Sequence, residues 1–223
     1  MVNRNRLSAI PDLDLLQRKG QSLAVLDAIM SPDWQYRYYS FNAKWGADEM
    51  MASRKNGSGD ELYILFNASG AIMKGFDHES AMSPWARDDQ SLWPQLFDNV
   101  PPVFEQFLKE PSFEISDTTF CIWRQRNDPS WSVGKIAYPD GDESSDGSEE
   151  QLSLLCGGPE LYVKFAKDYF EKDVSLEVLT AIYDHAPITE NLVRKLNPET
   201  SLEALTSELL EIGYVSVAGS ASS

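Results

Sequence analysis

The densest local grouping of titratable side chains is Asp77-His78-Glu79, an imidazole flanked by carboxylates just after an apolar run ending at Phe76. Neighbouring carboxylates can hold a histidine near neutrality for acid–base work, and strand ends are common places for such groups. A metal centre would need further ligands at a defined spacing, whereas the second histidine, His185, lies far along the chain before Pro187. Asp77, His78 and Glu79 are therefore a possible polar site, with no metal or cofactor in the reading. The signatures G-x-S-x-G, H-E-x-x-H, G-x-G-x-x-G and G-x-x-x-x-G-K-[ST] do not occur, which removes the commonest hydrolase, zincin, dinucleotide and P-loop readings. A catalytic triad assembled from distant segments would leave no such trace.

The acidic run from Asp140 to Glu150 places side-chain oxygens at alternate positions, as a calcium loop does. Counted from Asp140, however, Ser145 stands where the sharp turn needs glycine and Gln151 where a bidentate glutamate is required. Its Gly and Ser content predicts a solvated, mobile loop. Cys121 and Cys156 lack metal-ligand spacing and sit in apolar company, as reduced core residues do.

Six tryptophans, Trp34, Trp45, Trp85, Trp93, Trp123 and Trp131, fall in the first two-thirds of the chain, and most are expected in the core. Trp85 and Trp93 differ, because they lie with Asp88 and Asp89 in a loop rich in Pro, Asp and Ser outside any periodic element. An indole there that cannot reach the core becomes an interface anchor. Trp85, Asp88, Asp89 and Trp93 are the partner-binding residues this reading selects.

Acidic residues outnumber basic ones by 35 to 19, a net charge of −16, so the field repels phosphate backbones and attracts cationic surfaces. The charge argues against nucleic acid and for a basic protein partner, whose association the field would speed. No run approaches the ~20 apolar residues of a membrane span, and no export signal is legible near the N-terminus, so the expectation is no membrane and a cytoplasmic location.

The elements that must position these residues follow from periodicity. Asp12 is placed to cap a leading helix with Leu16, Leu23, Leu26 and Met30 on one face, closed by Ser31-Pro32. Strands are predicted at 36–41, 62–66, 71–76, 118–124 and 130–136, with hairpins across Asn67-Ala68-Ser69-Gly70 and Asn127-Asp128-Pro129. A short helix is expected over 103–108, behind Pro101-Pro102. From Pro159 the period is helical, and Thr200 with Glu203 has capping-box spacing for the last helix. The fold class is α+β: an antiparallel sheet of about five strands, a leading helix and a C-terminal all-helical part. The divisions expected are a sheet domain at 1–139, an acidic loop at 140–151, a helical subdomain at 152–215 and a disordered tail at 216–223.

The segments Tyr39-Ser40-Phe41-Asn42, Arg54-Lys55-Asn56-Gly57-Ser58-Gly59-Asp60, Lys74-Gly75-Phe76-Asp77-His78-Glu79 and Phe120-Cys121-Ile122-Trp123-Arg124 resemble an uncharacterised family of bacterial proteins. The layout of leading helix, antiparallel sheet and trailing helices is also similar to the SMI1/KNR4-like (SUKH) toxin-immunity proteins. The stretch Pro101-Pro102-Val103-Phe104-Glu105-Gln106-Phe107-Leu108 resembles their short proline-led helix, although here it follows three strands instead of preceding the sheet. The resemblance implies a bacterial immunity protein that antagonises a toxin by binding it. The competing expectations are an enzyme with an acid–base site near Asp77, His78 and Glu79, and a structural or adaptor module docking through its C-terminal helices.

Overall fold

Asp12 starts the long helix as its spacing predicts, its carboxylate accepting the Leu15 N–H at 2.9 Å. A computed structural model describes residues 5–214, so the predicted tail at 216–223 lies outside the described residues. A short helix, α1 (Asn5–Ala9), precedes α2 (Leu13–Met30). The strands β1 (Tyr39–Gly46), β2 (Glu49–Lys55), β3 (Glu61–Asn67), β4 (Gly70–Phe76), β5 (Phe120–Gln125) and β6 (Ser132–Val133) form one antiparallel sheet in sequential order. The helices α3 (Ser148–Gln151), α4 (Ser153–Cys156), α5 (Pro159–Phe170), α6 (Leu176–Tyr183), α7 (Glu190–Leu196) and α8 (Leu202–Ile212) complete the α+β fold.

The sheet has six strands where the sequence predicts about five, because β2 escapes the pattern. Its sequence, Glu-Met-Met-Ala-Ser-Arg-Lys, contains no β-branched or aromatic residue. It becomes a strand through pairing on both sides, with Ala52 opposite Phe41 and Ile64. The β3–β4 hairpin forms at Asn67 and Gly70, and Gly70 is required there: φ is +146° and a Cβ would lie 2.1 Å from the Arg124 carbonyl oxygen. The helix expected over 103–108 is instead two 3₁₀ turns, Pro102–Phe104 and Phe107–Lys109, that bury Phe104 and Phe107.

Alternation along the strands sorts their residues onto two faces. On one, Phe41, Ala52, Ile64, Met73 and Ile122 pack under α2. From Gly20 onward every α2 residue is buried, because the sheet lies on one side and the C-terminal helices on the other. Buried bonds join those layers: Ser22 Oγ donates to the Ile182 carbonyl, and the Tyr162 hydroxyl to the Asp27 carboxylate at 3.1 Å. On the opposite face Leu65, Ile72 and Trp123 meet Met82, Leu96, Phe104 and Phe113, carried by the long 3₁₀-rich connection between β4 and β5.

The acidic segment is exposed at Asp140, Asp142, Glu149 and Glu150, as its composition predicts, but its middle is folded in. Residues 143–146 form a 3₁₀ turn leading into α3, with Asp146 and Ser148 fully buried and Ser80 Oγ donating to the Ser145 carbonyl at 2.6 Å. Long-range partners, invisible in a charge count, order it. At α8 the cap is Ser201, which accepts the Ala204 N–H, while Thr200 turns inward and donates to the Ile29 carbonyl.

Candidate functional site

The strand ends around His78 form a polar cluster that differs in membership from the sequence grouping. The imidazole Nδ1 pairs with Asp60 Oδ1 at 2.7 Å, and the His78 backbone N–H donates to the same oxygen at 3.0 Å. Asp60 comes from the β2–β3 loop and is fixed by Asn56, whose side-chain amide donates to Oδ2 at 2.6 Å. Asp77 joins them, so that Asp60, Asp77 and His78 each offer a ligand-type atom within 4.8 Å of the others, whereas Glu79 stands outside the trio. The bond to Asp60 raises the His78 pKa. His185 is engaged elsewhere, stacked on Tyr214 and bonded to the Arg18 carbonyl, and burial lowers its pKa. Both cysteines are free, and burial pushes the Cys121 thiol far up.

The loop selected for partner binding divides into two parts. Trp85 stands 60% exposed on a 3₁₀ turn, and Asp88 and Asp89 are exposed beside it. Asp89 accepts bonds from the Ser91 N–H and hydroxyl, which lower its pKa. Trp93 instead pins the loop down: its indole N–H donates to the Ala137 carbonyl at 2.9 Å, with the Arg87 guanidinium 5.4 Å above the ring.

A second aromatic surface lies where the 3₁₀ layer ends. That layer covers β3 to β5, reaches Met51 of β2 and stops at Phe113, so that among the described residues a groove of about 310 Å³ lies over the outer face of β1 and the rest of β2. Its floor is polar, with Ser40 and Ser53 sharing a hydroxyl bond of 2.7 Å beside Asn42. Its walls are Trp34 on one side and Trp45 on the other, the latter stacked on Phe113 at 6.0 Å. A smaller cleft shares Trp45 and Phe113 and adds Glu49 and Glu110. Trp34 is 66% and Trp45 43% exposed, against the expectation that most tryptophans are core; Trp123 and Trp131 are the ones fully enclosed. Trp34 occupies a 3₁₀ turn after α2, and Trp45 falls within the register shift between Asn42 and Gly46 in the β1–β2 pairing, so neither is held in regular pairing on a covered face. Exposed indoles with carboxylates nearby can anchor a cationic surface, through contact area at the rings and steering from the charge.

Fold and groove thus define an α+β chain with an aromatic-walled groove on one sheet face among the described residues. No protein-family model matches it, and no curated protein or solved structure is significantly similar to it. Among the described residues no helix is long and apolar enough to cross a membrane.

Proposed function

We propose that this chain is an acidic binding protein for a basic protein partner, acting as an immunity-type protein that neutralises a cationic bacterial toxin by masking its active surface. The observation that carries the reading is the presence of exposed indoles, Trp34, Trp45 and Trp85, on a chain of net charge −16. Tryptophans are enriched among the residues that dominate binding energy, and a negative field accelerates encounter with a positive surface. Co-expression with any secreted effector encoded beside its gene tests it. Growth rescue together with a stable complex whose association slows as salt rises is the expected result. An effector that kills equally with and without the chain, or a partner with an acidic contact surface, would overturn it.

A second reading is favoured by the 2.7 Å contact of His78 with Asp60, because a carboxylate on Nδ1 orients an imidazole as a general base requires. The His78 side chain is exposed and lines none of the five main clefts, whereas the exposed indoles border one, which favours binding. Hydrolysis of simple ester or phosphate substrates that disappears in His78→Ala would favour the enzyme instead.

A further inference from the structure

We propose that the cleft between the first two strands and helices α4 and α5 binds a small monocarboxylate with an apolar body. This cleft, about 510 Å³, is the largest of the five and falls within the size range of small-molecule sites. It lies on the helix-covered face of β2, whereas the aromatic groove opens on the other, so the proposal is independent of the docking reading.

The feature that points to a ligand is Arg54. Its side chain is only 7% exposed, and its buried Nη1 has no hydrogen-bond partner among the described residues. The other contacts of the guanidinium are the Tyr39 hydroxyl, the Tyr38 ring at 5.4 Å and Glu150 Oε1 at 3.8 Å from Nη2. The last distance is beyond hydrogen-bonding range, and Glu150 is 79% exposed, so the nearest carboxylate is a loose counter-charge in water. A buried guanidinium with no carboxylate in bonding range is under-compensated in charge, and a ligand carboxylate in the cleft would supply that charge.

The remaining lining sets the rest of the ligand. Tyr38, Leu154 and Phe165 supply apolar walls, and Tyr38 is braced edge-on against Phe165 at 5.2 Å. At the rim Lys164 adds an exposed cation, facing the exposed carboxylates of Glu150 and Asp168, so the buried Arg54 is the charge that selects the ligand. A chain of net charge −16 disfavours multiply charged anions, so a single carboxylate on an aromatic or aliphatic body fits better than a phosphate.

Calorimetric and NMR titration of the full chain with benzoate, and with benzamide as its neutral isostere, tests the site. Saturable benzoate binding is expected, with shifts at Tyr38 and Phe165 and benzamide weaker by about tenfold or more. Glu150→Gln removes the competing carboxylate and should tighten benzoate binding several-fold, while Arg54→Gln should abolish it. Because Arg54 is buried and its replacement could unfold the chain, the exposed Lys164→Gln provides a second loss-of-charge variant, expected to weaken benzoate but not benzamide. Equal affinity for the two probes, no binding up to ~10 mM, or benzoate affinity unchanged in both Glu150→Gln and Lys164→Gln would overturn the proposal.

Discussion

Arg6 and Asp146, separated by 140 residues, meet in an ion pair of 2.6 Å whose side chains are 7% and 1% exposed. The same guanidinium donates to Ser148 Oγ, the Glu143 carbonyl and the Tyr138 hydroxyl, so one arginine from α1 ties together the middle of the acidic segment. Burial pushes the Asp146 carboxyl up against the opposing pull of Arg6. Removing either partner strands a buried charge, so Arg6→Met or Asp146→Asn should each lower stability by roughly 3–5 kcal/mol. Urea unfolding measures this. Losses under ~1 kcal/mol would mean that the pair does not order the segment.

Asp27 is fully buried, and desolvation raises its pKa to about 7 although it accepts the Tyr38 and Tyr39 N–H groups and the Tyr162 hydroxyl. The folded chain therefore keeps a proton that the unfolded chain loses near 3.8. The resulting stability is complete below that value and disappears as pH rises through about 7, a swing of about 4 kcal/mol. Asp27→Asn should flatten this dependence, losing less stability than wild type between pH 5 and 8. Parallel slopes for the two proteins in chemical denaturation would show that Asp27 does not carry it.

At His78 the bond to Asp60 is the largest cause of the raised pKa, ahead of the fields of Glu79 and Asp77. NMR titration should find its midpoint above the ordinary histidine value, falling in Asp60→Asn and less in Glu79→Gln. A midpoint unmoved by Asp60→Asn would show that the pair is absent in solution.

Gly75 faces the Phe120 ring across β4 and β5, and a Cβ there would lie 2.1 Å from Cζ. Phe120 is 1% exposed and has no open side to move into, so Gly75→Ala should destabilise by about 1–3 kcal/mol. An unchanged thermal midpoint would contradict this packing.

The two aromatic surfaces make different kinetic predictions for a cationic partner. If the groove is the interface, Trp34→Ala and Trp45→Ala should raise the dissociation rate by about 30-fold, equivalent to ~2 kcal/mol. If the 83–94 loop is, Trp85→Ala does so, while neutralising Asp88 and Asp89 slows association and weakens its salt dependence. Trp93→Ala should chiefly cost stability, because its indole anchors the loop to Ala137. Binding kinetics at two ionic strengths decide between them.

The leading helix, the β3–β4 hairpin and the C-terminal helices were legible in the amino-acid order, because the Asp12 cap, turn residues and apolar period act over a few positions, whereas the Thr200 cap gave way to Ser201. The sequence also set the net charge, and it located His78 at a strand end. Tertiary structure alone decided that β2 is a strand, since its residues carry no strand preference and are held by β1 and β3. It likewise chose Asp60 for His78, Arg6 for Asp146 and a cleft wall for Arg54. Periodicity specifies which face of an element is buried but not which element will cover it. A charge that must find its partner across 18 or 140 residues therefore has a location only once the chain is packed.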